Sequence, residues 1–232
     1  MSDYAVPPPP VASLAIVGSE DRFPVRRVYC VGRNYSAHVR EMNPDADLRD
    51  PPFFFLKPAD AVVETGGTVP YPPGTEDLHH EVELVAAIGT GGADIPEPEA
   101  LDHVAFYGVG IDLTRRDLQG VAKSKRWPWE MGKAFDHSAP VGPLTPAAEA
   151  GHGAREISLR VGGETRQRAR TDQMIWSVPE IVATLSQHYR LVPGDLILTG
   201  TPEGVGPVRP GAVLQAQAGG LAPLTVAIGE RA

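Results

Sequence analysis

The chain has a single cysteine in 232 residues, Cys30, so no internal disulfide can staple it. Basic residues are in deficit: 21 Lys and Arg stand against 29 Asp and Glu, a formal charge of −8. Such a balance repels a phosphate backbone, which excludes nucleic acid as the expected partner. Apolar runs are short. The longest, such as residues 11–17, fall far below the roughly 18 residues a membrane span requires. The opening MSDYAVPPPP carries an acid and four prolines where an export signal has a basic stretch and an apolar core, so a cytoplasmic address is the expectation. There is no fixed-period repeat and no low-complexity linker. The glycine-rich TGTPEGVGP lacks the lysine of a phosphate-binding Walker loop.

What is present is turn-forming and apolar material. Gly and Pro number 25 and 24, and 42% of residues are apolar against 22% charged, which suits a folded, loop-rich chain with ample core. Residues 1–24, with four successive prolines that hold the backbone extended, are expected to form an N-terminal arm. Residues 25–232 are expected to form one α+β domain, mostly β, from many short strands and few helices. HHEVELVAAIG alternates strictly, with Val82, Leu84, Ala86 and Ile88 on one face and Glu81 and Glu83 on the other, the pattern of a half-buried strand. NYSAHVREM predicts a short helix with Asn34 as its N-cap, and RRDLQGVAKSK and SVPEIVATLSQHY predict two more. FFFLKPADAVV predicts strand interrupted at Pro58, which suggests a sheet edge or a bulge.

Glu81 and Glu83 leave one strand face with Cα atoms roughly 6.5–7 Å apart. They are either the solvated side of an ordinary strand or part of a buried site that demands a cation. Asp112 closes the apolar run GVGID and is either a helix cap or a third acid for that site. Three carboxylates together suit a hard divalent ion, Mg²⁺ or Mn²⁺, and make a poor zinc site. His79 and His80 read as structural. His38 and Glu41, at i and i+3, are neighbours on one helix face, and a carboxylate beside an imidazole raises its basicity enough to strip a proton from water. An exposed surface pair is the alternative. Lys133 follows Gly132 in an aromatic stretch. Arg116 and Gln119 share a helix face, on a segment that otherwise reads as a basic solvated helix. Gly200 and Thr201 follow a strand where N–H groups and a hydroxyl can hold an anionic oxygen.

In chain order, VGRNYSAHVREM, FFFLKPADAVV, DLHHEVELVAAIG, GIDLTRRDLQ, WEMGKAFD and PGDLILTGTPEGVGP resemble the fumarylacetoacetate hydrolase family, from about Val31 to Pro207. That resemblance implies a mixed β-sandwich roll, a homodimer, and a small anionic 2-oxoacid as substrate. It implies Glu81, Glu83 and Asp112 as ligands of Mg²⁺ or Mn²⁺, and His38 with Glu41 as a water-activating dyad on a lid. Lys133 would stabilise developing negative charge, and Arg116, Gln119, Gly200 and Thr201 would hold substrate. Length and the HxxE pair look like the acylpyruvate-cleaving branch, which hydrolyses a carbon–carbon bond. Oxaloacetate decarboxylation, isomerisation of a 2-hydroxydienoate dicarboxylate, and non-catalytic binding of metal or dicarboxylate are the competing expectations. The acyl pocket is expected among Arg33, Tyr35, Phe53 to Phe55 and Lys57.

Overall fold

The computed structural model describes residues 4–37, 40 and 50–231. The expected α+β, mostly β architecture is observed. The central sheet runs, from edge to edge, Phe53–Lys57, Arg27–Gly32, Asp195–Leu198, Val82–Ile88, Val104–Ile111, Ala139–Val141 and Val62–Glu64, with Thr145–Pro146 also pairing with Val104–Ile111. The two strands flanking Pro58 thus take the two edges of this sheet, where a missing N–H breaks no ladder. A five-stranded sheet, built largely from the C-terminal third, packs on one face. Its strands are Glu164–Arg170, Glu156–Val161, Val213–Ala218, Leu224–Arg231 and Thr68–Tyr71. A small three-stranded sheet holds Leu78–His80 between Thr114–Arg115 and Gly206–Val208. No helix among the described residues is long and apolar enough to cross a membrane.

Strand periodicity divides the core in two. Val82, Leu84, Ala86 and Ile88 face the larger core shared with the five-stranded sheet, while Val85 and Ala87 face a smaller one with Val28, Cys30, Leu196 and Leu198. The strand is therefore buried on both faces along its whole length, and not half-buried as its alternation suggested. The reason lies upstream: Ser13–Ala15 and Arg22–Pro24 form a hairpin whose Leu14 and Phe23 cover the smaller core. Glu81 and Glu83 share the parity of Val85 and Ala87, so they lie at the end of that covered face.

The helix Val178–His188 illustrates what sets local structure here. Val178, Ile181, Val182 and Leu185 recur at helical spacing and are buried, and each large one stabilises by about 1.5–3 kcal/mol. The Ser177–Glu180 capping box adds about 1 kcal/mol, so packing outweighs capping. Asn34, expected as a cap, does something else. Its side-chain amide donates to Trp176 O (2.9 Å) and Thr199 O (2.7 Å), and its oxygen accepts from Trp176 N (2.7 Å). It joins three loops.

Candidate active site

The end of strand Val82–Ile88 and the end of strand Val104–Ile111 are held side by side, with Asp112 N donating to Glu81 O at 2.8 Å. This pairing gathers Glu81, Glu83 and Asp112, which are 5, 1 and 1% exposed and offer oxygens within 4.8 Å of one another. The acids are therefore not a solvated strand face. Nor does Asp112 cap a helix, because the helix Arg116–Lys125 begins four residues later behind Arg115.

Burying three carboxylates together is costly unless cations join them, and three do. Lys133 Nζ donates to Glu81 Oε2 (2.7 Å), Asp112 Oδ2 (2.5 Å) and Thr114 Oγ1 (2.7 Å), using all three of its protons. Arg116 pairs with Glu81 through one guanidinium nitrogen and with Gln119 Oε1 (2.6 Å) through another. Lys57 Nζ lies 2.8 Å from Asp112 Oδ1, an ion-pair contact without hydrogen-bond alignment, and donates to Leu113 O and to the Lys133 carbonyl. Lys123 stands farther out in the same pocket. Glu83 is served by the Gly200 N–H at 2.7 Å. Burial, then the charges of Asp112 and Glu81, push the Glu83 carboxyl well above the usual carboxylate range. For Lys133 burial alone would lower the ammonium, yet Asp112 and Glu81 outweigh it and the net shift is upward.

Two glycines make these approaches possible. Gly132 lets the turn Glu130–Lys133 pack on Gln119, whose Cβ and N would lie 3.0 Å from an added Cβ. Gly200 has φ +99° and would place a Cβ 2.5 Å from Asn34 Cβ. Gly200→Ala is therefore expected to lose about 2–5 kcal/mol from left-handed strain and overpacking together. Thermal unfolding checks this, and an unchanged midpoint would contradict the packing described.

Of the residues singled out from sequence, Glu81, Glu83, Asp112, Arg116, Gln119, Lys133 and Thr201 line one pocket, and Gly200 abuts it through Glu83. Arg33 and Phe55 line it too. Phe53 packs edge-on against Trp129 at 5.0 Å, and Tyr35 and Lys57 are buried away from the lining. His38 and Glu41 lie outside the described residues. His80 is structural, its Nδ1 2.9 Å from Gln167 Oε1.

Sequence reasoning missed Lys123 and Gln167, and it placed Lys57 in the acyl pocket where the structure pairs it with Asp112. The Gln167 side chain reaches from the five-stranded sheet to accept from Val82 N (3.0 Å) and to donate to Thr201 Oγ1 (2.8 Å) and Pro202 O (3.0 Å). It thereby braces the acid-bearing strand against the 199–203 loop. No local signal marks it. The inward role of Lys57 could have been found, because Phe53, Phe55 and Lys57 share one strand face. Lys123 could as well, standing at i+7 from Arg116 and i+4 from Gln119.

A family model described as "Fumarylacetoacetate (FAA) hydrolase C-terminal" matches residues 27–228. The chain belongs to the fumarylacetoacetate hydrolase family. Within it, the fold is close to the crystal structure of a fumarylpyruvate hydrolase from Pseudomonas aeruginosa in complex with Mn²⁺ and pyruvate. The TM-score is 0.94 and the identity 53%, over 99% of this chain and 100% of that one. A fumarylpyruvate hydrolase of Ralstonia sp is 42% identical over 177 residues, covering 76% of this chain and 92% of the relative. A mitochondrial oxaloacetate tautomerase of Arabidopsis thaliana is also 42% identical, over 196 residues, covering 84% and 87% respectively. The family's roll of curled sheets is what the two packed sheets form here. The acidic trio, all oxygen donors, fits a divalent metal.

Proposed function

We propose that the protein hydrolyses the carbon–carbon bond of an acylpyruvate, namely 3-fumarylpyruvate to fumarate and pyruvate, in the cytoplasmic degradation of gentisate, as a homodimer. The observation that carries this reading is the buried trio Glu81, Glu83 and Asp112, clasped by Lys133 and Arg116, in a chain 53% identical to a fumarylpyruvate hydrolase solved with Mn²⁺ and pyruvate.

The trio offers hard oxygens and neither imidazole nor thiolate, which suits Mg²⁺ or Mn²⁺. Glu81, Glu83 and Asp112 would hold the ion, which supplies Lewis acidity and a chelation point for the 2-oxo group and its carboxylate. Thr201 accepts from Gln167, so its own hydroxyl proton is free to donate to the pyruvoyl carboxylate, with Gln119 and Arg116 lining the same pocket. His38, oriented by Glu41, takes a proton from water, and the hydroxide attacks the acyl carbonyl. The bond to the pyruvoyl carbon breaks, its electron pair moves onto pyruvate as an enolate, and a proton returns to that carbon. Lys133, held protonated by its acidic partners, puts a fixed positive charge beside the enolate and needs no reorganisation as the charge develops.

The likeness to an oxaloacetate tautomerase favours a second reading in which the same 2-oxoacid grip serves oxaloacetate, by tautomerisation or decarboxylation, without an attacking water. Pyruvate release coupled to lactate dehydrogenase separates the two. Fumarylpyruvate turnover is expected to need Mg²⁺ or Mn²⁺ and to fall about 10²–10⁴-fold in His38→Ala, while conversion of oxaloacetate survives. Equal loss of both activities would remove His38 from its role. No pyruvate from fumarylpyruvate, other acylpyruvates or oxaloacetate at any metal concentration would favour a binding protein.

A further inference from the structure

Arg116, Gln119 and Lys123 recur at i, i+3 and i+7 on the helix Arg116–Lys125 and face the same pocket. Three acids and four cationic side chains line that pocket: Arg33, Arg116, Lys123 and Lys133. Arg116 and Lys133 are committed to the acids. Among the described residues the other two have neither a carboxylate nor a hydrogen-bond partner. Their contacts are aromatic instead. Lys123 Nζ lies 5.1 Å from the Trp129 ring centroid and the Arg33 guanidinium 5.8 Å from that of Phe53, and these two rings pack edge to face at 5.0 Å. An aromatic pair thus carries one unpaired cation on each ring.

The two cations also sit where exposure rises. Glu83, Asp112 and Lys133 are buried at the floor, Lys123 and Trp129 are half-buried, and Arg33 is exposed. Arg33 adopts φ 60°, a left-handed conformation uncommon outside glycine, so its position at the mouth is held against a local steric cost. Burial, then the charge of Arg116, lower the Lys123 ammonium to about 8; Glu81 opposes this, but with Arg33 and Lys133 adding to the lowering it does not offset it. With a divalent ion on the acids, the pocket holds more positive charge than one carboxylate neutralises.

We propose that Lys123 and Arg33 form an anion subsite at the pocket mouth that receives the second carboxylate of a dianionic 2-oxoacid, making the protein selective for acylpyruvates whose acyl group ends in a carboxylate. This rests on the acylpyruvate reading and assigns the residues that select for the second carboxylate. Each ring holds one cation in place, and Lys123, half-buried against Trp129, is partly dehydrated, so a carboxylate meets it at lower desolvation cost than it would in open water.

The test is calorimetric and independent of turnover. Mg²⁺-loaded protein is titrated with 2-oxoadipate and with 2-oxohexanoate, six-carbon 2-oxoacids that differ in the terminal carboxylate. Wild type is expected to prefer the diacid by at least about tenfold, a single charge-assisted contact being enough for that ratio. Lys123→Met and Arg33→Gln should each reduce the preference, the double variant should bring it near parity, and Lys123→Arg should retain it. Arg33 is exposed, so Arg33→Gln carries the test even if the change at Lys123 harms folding. No preference in wild type, or a preference kept in the variants, overturns the subsite. A preserved preference without pyruvate release would discard the hydrolase and keep the subsite; release without preference does the reverse.

Discussion

Lys133→Met is expected to lower turnover of fumarylpyruvate by about 10²–10³-fold, the loss that follows removal of one preorganised charge from a developing oxyanion. Methionine conserves the volume of the stem, so packing against Phe55, whose ring centroid is 5.1 Å from Nζ, is largely kept. What disappears is the ammonium shared by Glu81 and Asp112. In metal-free protein this leaves buried like charges, and stability should fall by about 3–5 kcal/mol. Added Mn²⁺ should restore much of that stability, because a cation returns to the same carboxylates, yet it should not restore turnover. Thermal unfolding with and without Mn²⁺, alongside pyruvate release, checks both halves. Near-normal turnover would remove Lys133 from the chemistry, and recovery of both by metal would make its role purely structural.

Glu83→Gln is expected to behave in the opposite way. Burial and its acidic neighbours already draw Glu83 toward its protonated form when no metal is bound, and a neutral amide of the same shape imitates that form. The amide oxygen can still accept from Gly200 N–H. Metal-free stability should therefore change little or rise. The metal response should vanish: at a hundred times Kd a divalent ion stabilises wild type by about 2.7 kcal/mol, about 5–10 °C for a chain of this size. Turnover should fall at least about a hundredfold. A full metal-induced shift in Glu83→Gln would exclude this carboxylate as a ligand.

Much of the site was legible from residue types and local periods. Strict alternation put Glu81 and Glu83 on one face, GVGID ended a strand on Asp112, and the aromatic stretch around Lys133 singled that lysine out. Local reasoning failed where the partner came from far along the chain. Asn34 had the residue type of a helix cap, but Trp176 and Thr199, more than 140 positions away, claim its amide. Gln167 looked like any polar residue on a hairpin until the five-stranded sheet brought it against Val82 and Thr201. Lys123 was hidden for a different reason. A helix rich in Lys and Arg reads as solvated, and only the pocket distinguishes the i+7 face from the rest.

The sequence by itself determined which chemistry the protein can hold: three acids, a dyad at helical spacing, one lysine in an aromatic turn, and the order of strands that carries them. It did so because side-chain type and strand or helix period are local properties. Only the tertiary structure decided that the acids are buried, that Lys57, Arg116 and Lys133 neutralise them, and that Lys123 and Arg33 meet aromatic rings and, among the described residues, no carboxylate. Burial and pairing depend on sheets that close over one another, with contacts between residues tens to more than a hundred positions apart, and these set the charge state on which the reaction depends.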